Sequence, residues 1–466
     1  MDSLLLGLSL IVVITTSLLS VNKLIKTQKY LNNIGLVGSE FSLVSYLPIL
    51  FILVNLLYAL PLPIRCLYTD TIEGDISPQL HDFIGYLPFS LILESFFIGL
   101  FSITYCFFIR KKVRREFRQV NFGELTLFNF IGVWIIFMLI SISMLIILSS
   151  NVGGIQSFIL LGYSVTEQFI GKNYLVVSLE WIPALTVILM AFSLSKKWKF
   201  GIFVAIFLLI TEMLSLSIMG RRGSLTALLM ALFFIYHYGY KPITLKFFLV
   251  LLFMVFVGLN LIGLLRGDSY ANLADFYDVV LERNNQLNTS GDIDLFYTLT
   301  TGNFTVPFET LPQVISRWGD SITPRLGLTI FNDLSLLVPS ALWESRPLPL
   351  ANWYMREFYD SSAAMNEGRQ FFFLTESYLN FGPLGAPIWA LIYGYLFSIF
   401  VFYVIRRLKN PFVLSLMSML SGSILNLVSS DLISGLVSFM KGYGFPLITF
   451  ILIAMLLNKS NKMNRR

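Results

Sequence analysis

The chain has 466 residues, of which 56% are hydrophobic and 13% charged, and its formal net charge is +6. A soluble domain carries about 25% charged residues, so this composition cannot cover a water-facing surface and excludes an ordinary soluble enzyme. The apolar runs are continuous rather than alternating, which favours membrane-spanning helices over a β-barrel.

Apolar segments of about 20 residues, the length that crosses a bilayer core, recur along the chain. They predict a single-domain, all-α, polytopic integral membrane protein with about eleven transmembrane helices. The predicted spans are 3–21, 41–60, 85–109, 125–149, 174–194, 200–218, 223–240, 245–264, 383–406, 411–429 and 435–457. Helices 1–8 then occupy residues 1–264, a large outer loop occupies 265–370, and helices 9–11 occupy 371–466. The first run lacks a preceding basic residue and a small-residue cleavage site, so we expect a retained helix.

Basic clusters between the spans predict the orientation, because cytoplasmic connections are enriched in lysine and arginine. With the N-terminus outside and the C-terminus inside, every cytoplasmic connection is basic. The clusters are Lys23–Lys29, Arg110–Arg118, Lys196–Lys199, Lys241–Lys246, Arg406–Lys409 and Lys459–Arg466. An even number of spans, or the opposite orientation, would move several clusters to the outer side.

Cysteines and histidines are few, which excludes several kinds of site. Cys66 falls in an outer loop and Cys106 near the inner end of the third helix, so we expect no disulfide between them. His81 and His237 fall on opposite sides of the membrane and cannot form a histidine-based metal site or a catalytic triad together. A Walker A motif is absent, which argues against an ATP-driven pump. We expect no metal and no cofactor.

The outer loop is about 105 residues long and contains seven arginines, no lysine and thirteen acidic residues. The arginines are Arg266, Arg283, Arg317, Arg325, Arg346, Arg356 and Arg369. Arginine binds phosphate and carboxylate through a rigid fork of donors, so this set suits anion recognition. Alternatively, these arginines pair with the acids of the loop itself. Two segments, Leu273–Asn284 and Ala351–Tyr359, have helical periodicity.

A tight turn, Gly220–Gly223, places Arg221 and Arg222 on the outer face, against the usual distribution of positive charge. The next helix starts near Ser224, and a helix N-terminus attracts anions, so the turn could hold a lipid diphosphate. Alternatively, the two arginines reach ordinary lipid headgroups.

Acidic residues in the outer half could accept the proton of an attacking sugar hydroxyl, which glycosyl transfer requires. The candidates by position are Glu309, Asp333, Glu344, Glu376 and Asp431. Three further acids fall within predicted spans and must face the bundle interior, as proton relays or, as we prefer, hydrogen-bonded struts. These are Glu94, Glu180 and Glu212.

Five stretches follow one another through the second half of the chain: Met219–Arg222, Arg266, Phe304–Glu309, Val338–Pro347 and Glu376–Gly385. Together they resemble the Wzy-type O-antigen and related polysaccharide polymerases, including the polymerase of enterobacterial common antigen. The most specific is the pattern Pro-Ser-x-Leu-Trp-x-x-Arg-Pro that ends at Pro347. The first 200 residues resemble the family only in hydropathy.

The resemblance implies an enzyme of the bacterial inner membrane whose active site faces the periplasm. It would transfer a growing glycan from one undecaprenyl-diphosphate carrier to a new lipid-linked repeat unit. Its partners would be undecaprenyl-diphosphate-linked oligosaccharide, membrane lipids, a chain-length regulator and a flippase, with no nucleic acid.

The resemblance also suggests roles for individual residues. Arg222 and Arg346 would stabilise the departing diphosphate, supported by three further arginines. These are Arg221, Arg266 and Arg369. Glu309 is the first choice for the base, while Glu376 and Asp431 remain open, as does a reaction without a carboxylate base.

Other functions compete with polymerisation. A lipid-linked oligosaccharide flippase or secondary transporter could use the intramembrane carboxylates to carry coupling protons. However, such proteins usually show two similar halves and short outer loops. A glycan ligase of similar architecture and a non-enzymatic scaffold or sensor also remain open.

Overall fold

The architecture was determined from a computed structural model. It describes residues 3–33, 47–68, 83–113, 125–160, 178–218, 222–241, 305–338, 345–359, 370–405 and 407–463, with isolated positions at 243, 244, 247, 250, 342 and 343. Within these ranges every regular element is a helix, which confirms the all-helical prediction.

The helices are numbered here in chain order. In the first half they are α1 (Ser3–Asn33), α2 (Leu47–Ala59), α3 (Pro61–Tyr68), α4 (Leu87–Val113), α5 (Leu127–Ser150), α6 (Ile155–Leu160), α7 (Trp181–Ser195), α8 (Lys199–Ile218) and α9 (Arg222–Gly239). In the second half they are α10 (Val306–Arg317), α11 (Leu328–Leu334), α12 (Leu350–Phe358), α13 (Phe373–Phe381), α14 (Gly385–Ile405), α15 (Pro411–Gly422), α16 (Ile424–Val428), α17 (Leu432–Phe439) and α18 (Phe445–Met463). A π-helical turn, Met440–Gly444, joins α17 to α18.

Seven helical segments among the described residues are long and apolar enough to cross a membrane, so the chain is a polytopic membrane protein. They are Ser3–Leu31, Leu47–Tyr68, Ile84–Val113, Leu127–Ser150, Lys199–Ser217, Phe373–Val404 and Leu432–Leu457. Three other predicted spans correspond to the shorter apolar helices α7, α9 and α15. The predicted span 245–264 lies almost wholly outside the described residues. The total of eleven and the orientation therefore stay predictions.

Polar residues at the helix starts explain where several of these elements begin. The Thr126 hydroxyl accepts a hydrogen bond from the backbone N–H of Asn129 (3.3 Å) at the start of α5. The Asn410 side chain accepts from the N–H of Phe412 (2.9 Å), and Pro411 occupies the first position of α15. Each cap satisfies a backbone donor that has no partner within its helix.

The membrane helices pack into two groups, each with its own apolar core. In the first group, α4 packs against α1 and α14, and buried aromatic side chains fill the space between them. In the second group, α7 packs against α5, α8, α9 and α15. Helix α16 contacts both α2 and α9 at the boundary between the groups.

The described parts of the long connection, residues 305–338 and 345–359, fold against these helices. Its helix α10 packs against α4 and α13, and α11 packs against α17. A hydrogen bond between Tyr354 and Gln313 joins α12 to α10. The predicted helix 351–359 is confirmed as α12, whereas the predicted helix 273–284 lies outside the described residues. Helices α10 and α11 were not predicted.

Two boundaries differ from the predictions. The predicted span 383–406 is preceded by a separate helix, α13, and the chain turns at Gly382 before α14 begins. Gly382 has a φ of +57°, and a Cβ there would overlap the Trp318 ring, so the turn needs glycine. Cys66, predicted to lie in a loop, is in helix α3, and both Cys66 and Cys106 are free thiols.

Candidate functional site

A cavity of about 470 Å³, lined by both polar and apolar residues, lies where α9, α16 and α17 meet the long connection. Its size is in the range of pockets that hold small ligands. Six of the residues that line it are serines: Ser224, Ser423, Ser429, Ser430, Ser434 and Ser438. Asn426 and Gln370 add amide groups. A lining of hydroxyls and amides offers both donors and acceptors, which suits a polyhydroxylated ligand.

Helical spacing places two of these serines in one row. Ser434 and Ser438 are four residues apart within α17, so they share one face of the helix, and Ser430 lies just before its start. The hydroxyl of Ser423, on another wall, is buried and has no hydrogen-bond partner among the described residues. A buried hydroxyl without a partner is costly, so a bound ligand could satisfy it.

Asp431 brings a carboxylate to the cavity wall. It is the N-cap of α17, and its Oδ1 accepts a hydrogen bond from the backbone N–H of Ser434 at 2.7 Å. The carboxyl group of Asp333 donates a hydrogen bond to Asp431. Burial raises the pKa of Asp431 above the ordinary aspartate value, although the hydrogen bonds from Ser434 and Asp333 oppose the shift.

The neighbour Asp333 is the more strongly perturbed carboxyl group. Burial raises the pKa of Asp333, and the charges of Asp431 and Glu376 raise it further. A raised pKa keeps Asp333 neutral, so it can donate a hydrogen bond to the Asp431 carboxylate. The pair therefore carries one proton and one negative charge, an arrangement that suits proton transfer.

Glu376, on α13, completes the acidic cluster but does not line the cavity. Its Oε2 accepts from the backbone N–H of Leu432 (2.8 Å), and its Oε1 accepts from the Thr329 hydroxyl (2.9 Å). The Asn380 amide donates to Thr329 (2.7 Å) and holds that hydroxyl in place. Within the part of the chain that the structure describes, no three His, Cys, Asp or Glu side chains are grouped to hold a metal ion. Glu376 thus positions the start of α17, next to Asp431.

Two basic side chains lie beside the cavity without lining it. Lys441 lies in the π-helical turn, and its Nζ donates to the carbonyl oxygen of Leu336, a cavity-lining residue. Arg346 donates from Nη1 to the Val338 carbonyl oxygen at 2.9 Å. The charges of Arg346 and Lys441 repel one another, and Glu180, which lines the cavity, attracts Lys441. Two cations therefore lie next to this side of the cavity.

Close approach between Glu180 and the π-helical turn requires a glycine. A Cβ at Gly442 would lie 2.5 Å from the Glu180 Oε2 atom. The indole Nε1 of Trp181 donates to the Lys441 carbonyl oxygen at 2.9 Å and joins the same two segments. Glu180, predicted to lie within a span, instead precedes α7 and lines the cavity.

Among the predicted arginines, Arg346 is described in full and Arg222 in part. Helix α9 begins at Arg222, two residues before the cavity-lining Ser224, while the Arg222 side chain lies outside the described structure. A Cβ at the intervening Gly223 would lie 3.2 Å from the Asn426 side chain, which places this helix start against the wall. Arg221, Arg266 and Arg369 lie outside the described residues.

Glu309 lies outside the lining of the cavity. Glu309 is buried in the first turn of α10, which packs against α13 and α4, and it does not line the cavity. The structure thus brings Asp431 to the same cavity as the start of α9, with Lys441 and Arg346 beside it. It does not bring Glu309 into this set.

Several residues at or beside the cavity were not found from the sequence. Lys441 lies inside an apolar run and carries no motif, although a lone lysine within a membrane helix is itself a signal of function. The serine row could have been found from the four-residue spacing between Ser434 and Ser438. Gln370, Asn426 and Glu180 come together only through the fold.

The two remaining intramembrane acids have different environments. The Thr186 hydroxyl lies 2.6 Å from Glu212 Oε1, as expected for a hydrogen-bonded strut. Glu94, on α4, is fully buried, and neither carboxyl oxygen has a hydrogen-bond partner among the described residues.

Comparisons with protein-family models, with curated proteins and with solved structures found no match for this chain. The functional argument therefore depends on the cavity and on the motifs described above.

Proposed function

We propose that this chain is a polysaccharide polymerase of the bacterial inner membrane. It transfers a growing glycan from an undecaprenyl-diphosphate carrier to a new lipid-linked repeat unit at the periplasmic face. One observation carries the proposal: a hydroxyl-rich cavity between membrane helices has the Asp431 carboxylate in its lining and two cations, Lys441 and Arg346, beside it. These are the groups that glycosyl transfer from a lipid diphosphate requires.

In the proposed reaction, Asp431 is the general base. Its carboxylate takes the proton of the acceptor hydroxyl while that oxygen forms a bond to the anomeric carbon of the donor sugar. The bond from this carbon to the diphosphate oxygen breaks, and the lipid diphosphate leaves with the electron pair. The raised pKa of Asp431 suits this role, because a base is most effective when its pKa approaches the working pH.

Arg346 stabilises the negative charge that develops on the departing diphosphate. Fixed cations in a site with little water stabilise such charge more strongly than they would in bulk water. The start of α9 at Arg222 adds the positive end of a helix dipole at the cavity wall. The serines and amides bind the sugar hydroxyls and position the acceptor.

The test is reconstitution of the purified protein in lipid vesicles with undecaprenyl-diphosphate-linked repeat units, followed by gel separation of the products. We expect a ladder from the native protein. Asp431→Asn should reduce the rate by about 100-fold or more, the usual contribution of a general base. Asp320→Asn makes the same chemical change at an exposed position and should leave the rate unchanged.

Glu309→Gln, assayed in parallel, discriminates between the two candidate bases. We expect it to retain most of the activity if it remains folded, because Glu309 does not line the cavity. A ladder that persists in Asp431→Asn and disappears in folded Glu309→Gln would contradict the assignment of the base. The absence of a ladder from the native protein would contradict the proposed function itself.

The environment of Glu94 favours a second candidate, a proton-coupled flippase or secondary transporter. A buried carboxyl group whose oxygens find no partner among the described residues is a feature of proton relays in membrane proteins. In the same vesicles, this function predicts labelled lipid crossing the membrane without forming a ladder. Glu94→Gln should then abolish the transfer, whereas it should leave polymerisation unchanged under the first proposal.

A further inference from the structure

We propose that Lys441, together with Arg346, binds the diphosphate group of the lipid carrier, and that the π-helical turn exists to present this lysine. This inference rests on the proposed function for the identity of the ligand. The arginine motifs of the sequence point to Arg346 alone, and Lys441 enters only through its place in the fold. The proposal assigns the diphosphate to the side of the cavity at Leu336, the residue to which Lys441 donates.

The first argument is the position of Lys441. It lies within Leu432–Leu457, a segment apolar enough to span a membrane, where a lysine is costly and usually functional. Its Nζ does not simply extend along the helix, because it donates to Leu336 in the long connection. A π-helical turn adds a residue to the helix and is often found at functional sites. The turn from 440 to 444 also supplies Tyr443, which lines the cavity.

The second argument is electrostatic. Lys441 and Arg346 are both only half-exposed, and their positive charges repel one another. Glu180 offsets part of that charge. Like charges held together away from bulk water raise the free energy of the folded protein unless an anion lies between them. Proteins keep such an unfavourable pair of charges where the charges bind a ligand.

The third argument is the match between donors and ligand. The lysine ammonium has three N–H donors, and one of them is used on the Leu336 carbonyl oxygen. The arginine guanidinium has five donors, and one is used on the Val338 carbonyl oxygen. The remaining donors can bind several phosphate oxygens, and the two positive charges match a doubly charged diphosphate diester.

The acidic cluster fixes the direction of the ligand. Asp431 lines the cavity, Asp333 and Glu376 adjoin Asp431, and the negative charge of this cluster repels phosphate oxygens. The diphosphate therefore lies at Lys441, and the sugar extends along the serine row towards Asp431. This direction places the reacting anomeric carbon between the cations that hold the leaving group and the carboxylate that activates the acceptor.

The alternative is that Lys441 only links the π-helical turn to the long connection through its bond to Leu336 and has no role in binding. Thermal unfolding in detergent, with and without inorganic pyrophosphate, distinguishes the structural role from the binding role. Sodium chloride at matched ionic strength is the reference, because it screens charge without providing a diphosphate. We expect pyrophosphate to raise the Tm of the native protein more than sodium chloride does.

Lys441→Met should weaken this response, so that the half-maximal pyrophosphate concentration rises about tenfold or more, as for loss of a charge-assisted hydrogen bond. Lys409→Met, at an exposed lysine, makes the same change and should keep the native response. Lys441→Arg preserves the charge and should stay within about threefold of native. If Lys441→Met does not fold, Lys441→Arg is used instead. Adding Arg346→Gln to Lys441→Arg should then abolish the rise in Tm that pyrophosphate causes.

The proposal is overturned if Lys441→Met keeps the full response, or if Lys409→Met loses as much. A second experiment uses undecaprenyl diphosphate in place of pyrophosphate. If the rise in Tm requires Lys441 with both probes, the site recognises the diphosphate group that the two probes share. A Lys441-dependent response from a protein that makes no ladder would retain the anion site and contradict the polymerase. A ladder whose rate and KM are unchanged in Lys441→Met would retain the polymerase and contradict the site.

Discussion

The aromatic core of the first helix group and the acidic cluster beside the cavity share helix α13. In the aromatic core, Phe97 and Phe373 have ring centroids 4.9 Å apart, and Phe51 lies 5.8 Å from Phe373. Three residues further along α13, Glu376 belongs to the acidic cluster and bonds to Leu432 and Thr329. The core is held by close packing, and the cavity wall by hydrogen bonds and charge.

Stability and activity are expected to depend on different parts of the molecule. Membrane helices gain little from the hydrophobic effect against lipid, so close packing of side chains carries much of their association. The cavity and the residues beside it instead carry charges and a buried hydroxyl without a partner among the described residues, features that lower stability and are typical of ligand-binding sites. Substitutions in the core should therefore affect folding first, and substitutions at the cavity should affect activity or pH dependence first.

The largest expected effect is in the aromatic core. Phe97→Ala removes a fully buried ring and should lower the free energy of unfolding by about 3–5 kcal/mol, because it leaves a cavity among packed neighbours. Phe96→Ala is the matched control, since its ring is 63% exposed on the neighbouring face of α4. Denaturant unfolding in detergent measures both. Equal losses from the two variants would contradict the assignment of stability to this core.

An intermediate effect is expected at Asp333, as a change in pH dependence. Its raised pKa means that its contribution to stability is fully present below the unfolded value near 4 and is lost as the pH rises from there through the raised pKa. One proton corresponds to a slope of at most about 1.4 kcal/mol per pH unit. The Tm of the native protein should thus fall with pH more steeply than that of Asp333→Asn.

The control for this comparison is Asp320→Asn, which changes an exposed aspartate of the same long connection. Its Tm should follow the native curve at every pH. If Asp333→Asn also follows the native curve, Asp333 does not take up a proton on folding, and the shared-proton arrangement with Asp431 is wrong.

The smallest expected effect is at Ser423. Its hydroxyl lines the cavity without a partner, so Ser423→Ala should change stability by less than about 0.5 kcal/mol. The KM for the lipid-linked repeat should rise about threefold, as for loss of one neutral hydrogen bond. The nearby Ser421 donates to the Met417 carbonyl oxygen in its own helix (2.8 Å) and does not line the cavity. A KM increase in Ser421→Ala equal to that in Ser423→Ala would contradict a local role.

The fold class could be predicted because it depends on composition and on the length of apolar runs, both of which are local properties. The boundaries were harder to predict, since hydropathy does not register a turn between two apolar helices. At Gly382 the chain turns between α13 and α14 while both flanking segments remain apolar. The positive φ of a single glycine decides this boundary, and glycines are frequent in membrane helices anyway.

The candidate site was only partly predictable. Asp431 and Arg346 could be named because charge is rare in an apolar chain, and rarity directs attention to them. Their association with Lys441 depends on contacts between segments about a hundred residues apart, as in the bond from Lys441 to Leu336. Glu309 was the first choice because of its motif, but motifs carry no information about which wall of the fold a residue occupies.

The bond between Trp181 and the carbonyl oxygen of Lys441 joins residues 260 positions apart and has a consequence for biosynthesis. Ribosomes deliver membrane helices to the bilayer in chain order, so the segment that carries Trp181 is inserted long before its partner exists. The cavity, whose lining comes from both segments, is completed only after the segment up to Tyr443 has entered the membrane. A chain whose synthesis stops before this segment therefore has no assembled cavity, and we expect it to be inactive.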